Sequence, residues 1–286
     1  MRSTLLLLAG LMLATPTRAA ADDEKAKKLA EQKAALDAGW KALDAGESAT
    51  HESDLFLIAA PKAMGPKLKA AAGSLAKYHA VAAKALGLDL KTAYPGKITV
   101  YLLPETTSMP AFARRVEKRR PDAGETASYM PADDKLHVAA APTKGGVSAE
   151  ARAGEMLAAL LMARKAGVRT ALPGWLVEGF GRATTYQVMP ADKTVLADKK
   201  KVRALAKKKN AKDVWGGALD AEEGAVMQAS VAQYIAYVGG AARFAKFVEG
   251  FKPGENMDAK TAAQAMEMAG ISGDKVDKGW KAWAAK

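Results

Sequence analysis

The chain of 286 residues carries 43 Lys and Arg against 31 Asp and Glu, a formal charge of +12, and is 49% apolar with only 6% aromatic residues. It contains no cysteine, which excludes disulfides, thiolate metal ligands and a cysteine nucleophile. Such a length supplies one large core or two small ones filled mainly by Ala, Leu, Val and Met, and the basic surplus favours polyanions such as nucleic acid, anionic glycans or lipid headgroups without naming one.

In chain order, Arg2, the apolar run Leu5–Ala14 and the small residues Ala19, Ala20 and Ala21 have the layout of a secretory signal peptide. The run is roughly half as long as a bilayer-spanning helix requires. Residues 1–21 are therefore expected to be removed, leaving a mature chain that begins at Asp22. Losing Arg2 and Arg18 takes the formal charge from +12 to +10. No later run reaches about 18 apolar residues, so no membrane span is expected and the mature protein should be soluble, in the periplasm or outside the cell.

Residues 22–48 read as an N-terminal amphipathic helix, because Leu29, Leu36, Trp40 and Leu43 fall on one helical stripe that ends near Gly46. Residues 49–190 alternate strands with helices. A buried strand is expected over Asp54–Ala59, a helix over Lys62–Leu86 with Gly87 as its cap, and a strand over Lys97–Leu103 closed by Pro104. A basic helix follows over Met109–Arg120. Two strands, Ser128–Met130 and Lys135–Ala140, then flank the turn residues Pro131 to Asp134. Ser148 is placed to cap an apolar helix that runs to Ala166, and after the loop Leu172–Gly174 another helix runs from Trp175 to Tyr186. Residues 191–286 are expected to be helical, at about 199–209, 225–238, 241–250, 259–269 and 274–285. Strands early and helices late define an α+β fold.

Two segments could carry chemistry. Gly154-Glu155-Met156-Leu157-Ala158 lies on the apolar helix, and Trp175-Leu176-Val177-Glu178-Gly179 opens the next one. In zinc peptidases of the His-Glu-x-x-His type, two histidines four apart point from one helical face to the metal while the glutamate activates the bound water. These segments are accompanied by the strand Leu55–Ile58, the helix end Leu86-Gly87, the strand Val100–Leu102 and the pair Trp280 and Trp283. On this order of residues the chain resembles the gluzincin metallopeptidases, the peptidase-MA-like superfamily, and within it the bacterial exported branch, over about residues 50 to 286.

The resemblance implies a zincin-like small mixed sheet with an active-site-type helix, followed by a helical C-terminal half. It implies that Glu155 stands at the general-base position, that Glu178 stands at the third zinc-ligand position, and that residues 154 and 158 stand where the histidines belong. Glycine and alanine offer no side-chain donor, and one carboxylate cannot hold zinc. Zinc is expected to be absent and the ancestral hydrolysis lost.

Of the three histidines, His51 and His79 read as surface or packing residues, and His137, on the strand before the helix, is the candidate to face a ligand. Trp175 is expected to pack under the Glu155 helix. The basic run Lys199, Lys200, Lys201, Arg203, Lys207, Lys208 and Lys209 reads as a solvated face, with Val202, Leu205 and Ala206 turned inward, that could meet an anionic partner. The leading functional reading is a non-catalytic protein that binds a peptide or another protein in a relic substrate cleft. The alternatives are a hydrolase rebuilt around Glu155, Glu178 and His137, and a polyanion-binding envelope protein.

Overall fold

The computed structural model describes residues 18–89, 94, 96–217, 219–254 and 258–286. The apolar run Leu5–Ala14 lies outside the described residues. Among those described, β1 (Ser48–Glu52), β2 (Phe56–Pro61), β3 (Ile98–Leu102), β4 (Ala127–Met130) and β5 (His137–Ala140) form one sheet in the order β1-β2-β3-β5-β4. β2, β3 and β5 run parallel, and the edge strands β1 and β4 are antiparallel to their neighbours. The molecule is therefore α+β with a mixed sheet, and mostly helical.

Successive side chains of a strand point to opposite faces, so an unbroken apolar strand needs cover on both sides. Phe56, Ile58 and Ala60 of β2, with Ile98, Val100 and Leu102 of β3 and Val138 and Ala140 of β5, face the larger core. There they meet α2 (Leu68–Ala85) and α4 (Ala149–Ala166). Leu57, Ala59, Tyr101 and Ala139 face the other way, onto a smaller core with Leu36, Trp40 and Leu43 of α1 (Arg18–Leu43) and Met109 and Phe112 of α3 (Ser108–Arg115). Trp40 fastens α1 by donating its indole N–H to the Gly46 carbonyl at 2.9 Å. Leu29 is only partly buried, while Leu36, Trp40 and Leu43 carry the expected stripe.

Three local expectations differ from the structure for identifiable reasons. β1 was not expected, because its sequence Ser-Ala-Thr-His-Glu shows neither apolar alternation nor a run, as suits a half-exposed edge strand. The helix expected from Lys62 begins as a 3-10 turn, Lys62–Lys67, and turns α only at Leu68; Pro66, which has no N–H to donate, lies inside that turn. The basic helix ends at Arg115, five residues early: the Glu117 N–H turns back to the Phe112 carbonyl at 3.2 Å, the Glu117 carboxylate meets His137 of β5, and Lys118 follows with a left-handed φ of 59°. Gly87 follows α2 at φ 60°, and the Ser148 hydroxyl accepts from the Ala151 N–H at 3.1 Å, both as expected.

The C-terminal helices extend the larger core without a break. α5 (Gly174–Val188) lies against α4 and against α8 (Ala221–Gln233), which continues into a π-helical turn over Tyr234–Val238. α6 (Lys193–Leu205), α7 (Lys212–Trp215), α9 (Ala241–Glu249), α10 (Ala262–Met268) and α11 (Gly273–Ala284) complete it, and Trp280 of α11 is fully buried with its indole N–H on Ser230 at 2.8 Å. Trp175, expected as a buried anchor under α4, packs against the edge of the larger core and is only partly buried. It lies beside Trp215, with ring centroids 6.1 Å apart, because the first turn of α5 lies at the rim; the large apolar side chains of that helix that are fully buried are Leu176 and Phe180. Phe180→Ala should therefore cost about 3–5 kcal/mol, and Trp175→Ala less than half of that, in urea unfolding. Equal or larger loss for Trp175→Ala would contradict this packing.

Candidate functional site

α4 and α5 cross where Gly181 meets Glu155. A Cβ on Gly181 would lie 2.8 Å from the Glu155 carbonyl oxygen, so only glycine allows the two backbones this separation. Beside the crossing opens a cavity of about 580 Å³. Past Glu150, the α4 residues lining it are Ala151, Arg152 and Glu155, an i, i+1, i+4 set, and α5 contributes Glu178, Arg182, Thr185 and Tyr186, a stripe at helical spacing that Met189 continues just past the helix end.

Arg152 is the hub. Its Nη1 donates to Glu155 Oε2 at 2.6 Å and to Glu178 Oε2 at 2.9 Å, and its Nη2 donates to Glu178 Oε1 at 3.2 Å. The planar fork of a guanidinium suits such two-pronged contact with carboxylates. Burial opposes its charge, but the carboxylates of Glu155 and Glu178 outweigh burial and raise its pKa. Glu155 is held further by the Thr185 hydroxyl, which donates to Oε1 at 3.3 Å. On the opposite wall Arg182 donates twice to Asp198, at 3.1 and 2.6 Å, and the Tyr186 hydroxyl donates to the same oxygen at 2.5 Å.

Gly154 and Ala158, the positions expected to face Glu178, turn into the core instead. A Cβ on Gly154 would lie 2.7 Å from the Tyr78 ring, and Ala158 is fully buried. A helix presents residues three and four apart on one face, so moving from 154 and 158 to 151 and 155 shifts the set by nearly one turn onto the side that faces α5. Glu155 and Glu178 do come together, with Arg152 between them.

His137 does not join them. On β5 it alternates with Val138 and so points to the face of the sheet away from α4, where its ring meets Tyr101 and Phe112. Its Nε2 lies 3.0 Å from Glu117 Oε1, which also accepts from Ser128 at 2.8 Å, while Arg119 donates to the other oxygen at 2.7 Å. Burial alone would push the Glu117 carboxyl upward; hydrogen bonds from His137 and Ser128 and the nearby Arg119 charge hold it below its ordinary value. His79 is buried against Phe56 and bonded to the Tyr94 hydroxyl at 2.8 Å, and His51 lies on β1. Among the described residues, no three of His, Cys, Asp and Glu form a group that could hold a metal ion.

The residue missed from sequence is Arg152, and a signal for it existed. Arg152 and Glu155 are the only charged residues between Ala151 and Ala163, and opposite charges three apart in an otherwise apolar stretch point to a shared, sheltered pair. Tyr78 and Thr185 reach the site from other helices, with no local pattern to mark them.

Removing one partner of a sheltered ion pair costs more than the pair contributes, because the remaining charge stays desolvated. Arg152→Met should lower stability by about 3–5 kcal/mol at neutral pH, and the loss should shrink as the pH is lowered, since protonating either carboxyl relieves the unpaired charge. Urea titrations at several pH values measure this. A variant as stable as the parent throughout would show that the bridge is not holding the two helices.

No protein-family model matches this sequence, and no curated protein is significantly similar to it.

Proposed function

We propose that this is an exported, gluzincin-like protein whose cleft holds a peptide or another protein without hydrolysing it, Arg152 having taken the place of a metal ion. The observation that carries the reading is the Arg152 guanidinium set between Glu155 and Glu178, at 2.6 and 2.9 Å. The zincin-like part is supported by a mixed sheet whose antiparallel edge strand, β4, borders the helix bearing Glu155, and by the placement of Glu178 on the following helix. The i, i+1, i+4 set then falls on Ala151, Arg152 and Glu155. Export is supported by the signal-like layout of residues 1–21.

Zinc, which the resemblance implies, does not fit these residues. A guanidinium has donors only and a positive charge, so it repels a dication and consumes the carboxylate lone pairs that would bind one. Ala151 has no donor. Glu155 is tied to Arg152 through Oε2, so the carboxylate that would activate a metal-bound water is turned to a guanidinium instead. What remains is a walled cleft with fixed polar groups, a binding site. A second contact is supported by Lys199, Lys200, Lys207 and Lys208, which are exposed while Val202 and Ala206 are buried and Leu205 is partly so. That face suits an anionic envelope partner.

The register gives a gain-of-function test. Ala151→His, Arg152→Glu and Glu155→His together rebuild His-Glu-x-x-His with Glu178 as third ligand, and this variant should bind zinc near stoichiometrically and lose it on Glu178→Ala. Gly154→His with Ala158→His should not bind zinc, since the first ring would collide with Tyr78. A folded triple variant no better than the parent at binding zinc would sink the zincin-like reading.

A further inference from the structure

The cleft is acidic inside a basic protein. Five carboxylates, Glu150, Glu155, Glu178, Asp192 and Asp198, line it against two guanidiniums, Arg152 and Arg182, in a chain of formal charge +12. Two of the five already accept hydrogen bonds within the fold: Asp198 takes Arg182 and Tyr186, and Asp192 caps α6 by accepting from the Thr194 and Val195 N–H groups. Arg152 neutralises one charge of the Glu155 and Glu178 pair and leaves one. Glu150 has no side-chain hydrogen bond or ion pair with a described residue. Five carboxylates against two guanidiniums thus leave the lining about three negative charges without a counterion.

A second observation is independent of that charge. Tyr78 lines the same cavity and is fully buried, and its hydroxyl is, among the described residues, the buried side-chain oxygen without a hydrogen-bond partner. Thr185 lies beside it but donates to Glu155 instead. Burial pushes the hydroxyl up to about 12, against the neighbouring Thr185 hydroxyl, which lowers it, and with the Glu155 charge adding to the rise, so it stays neutral. Buried polar atoms left unpaired are rare and call for an explanation. Glu155 Oε1 is similarly underused, with one long bond of 3.3 Å. Val147, Ala151, Met189 and Val195 supply an apolar wall alongside.

We propose that this cavity receives a primary ammonium on an alkyl stem, the side chain of a lysine in a bound peptide, with its methylenes along the apolar wall and its ammonium between the Glu155 carboxylate and the Tyr78 hydroxyl. An ammonium brings three donors, which complement the unfilled lone pairs of Glu155 Oε1 and of the Tyr78 oxygen. A long aliphatic stem with a charged tip suits a cavity that is apolar along one wall and acidic at its floor. Arg152 then has a second role: it holds the two glutamates apart and oriented, so that Glu155 keeps one face for the incoming cation. The assignment rests on the peptide-holding reading above and names the residue that the cleft selects.

The test is calorimetric titration of the full mature chain with three probes: blocked alanine peptides with a central lysine or a central norleucine, and n-butylammonium alone. The lysine peptide should bind at least about tenfold more tightly than its norleucine twin, as a charge-assisted hydrogen bond in a sheltered site gives. Tyr78→Phe, which removes an unpaired hydroxyl and should melt no lower than the parent, should weaken the lysine peptide by about fivefold or more and leave the norleucine peptide unchanged. Equal affinity for the two peptides, or an unaffected Tyr78→Phe variant, overturns the ammonium assignment and leaves the peptide-holding reading standing. Binding of n-butylammonium that is lost in Tyr78→Phe, with neither peptide binding, keeps the ammonium site and overturns the peptide reading. No binding by any probe overturns both.

Discussion

A sheltered positive charge on α4 must be answered by negative charge from its neighbours, and the rest of the site follows from how that is met. Arg152 has only 16% of its side chain exposed and draws Glu155 from its own helix and Glu178 from α5. The pair with Glu178 alone would hold little, because Glu178 is half exposed; the pair with Glu155 is sheltered on both sides. Together they form a fork that fixes the angle between two helices. A zinc ion could do the same mechanical work, but it would keep an open coordination position for water, whereas a guanidinium keeps none. The proposed loss of hydrolysis comes from this difference rather than from the missing histidines alone.

The scaffold explains why the arginine can stay in place. α4 is buried on nearly every side, with Met156, Leu157, Leu160 and Leu161 in the larger core, so only the narrow face at 151, 152 and 155 is open to the cavity. Two glycines permit the approaches that define that face. Gly154 lets the Tyr78 ring of α2 press on the helix from behind, and Gly181 lets α5 close on Glu155 from the front. The sheet sets α4 by burying Val138 and Ala140 beneath it, and α8 supports α5 from the far side. The cavity is the space left at the end of this packed layer.

Much of the fold could be read from residue patterns, and the failures have physical causes. An apolar run marked β2, alternation of β-branched residues marked β3, the turn at Pro131 to Asp134 marked β4 and β5, and caps such as Ser148 marked helix starts, because these signals are local. β1 was silent because an edge strand with one half-exposed face needs no apolar pattern. At the site, the nearness of Glu155 and Glu178 was legible, but the helical phase was not. Nothing local distinguishes residues 154 and 158 from 151 and 155, since all but Glu155 are glycine or alanine; the phase is set by Tyr78, which arrives from seventy residues away and fills the space behind Gly154. His137 was misplaced for a similar reason. Strand alternation gives two faces, and only the position of α4 tells which one looks toward the cleft.

If Arg152 substitutes for the metal, the unmodified protein has no use for one. Metal analysis of protein purified from its natural source without chelator, at a sensitivity well below one ion per chain, tests that claim most directly. The account predicts no zinc or other transition metal above trace level, and about one zinc per chain, displaced when Glu178 is changed to alanine, would contradict it.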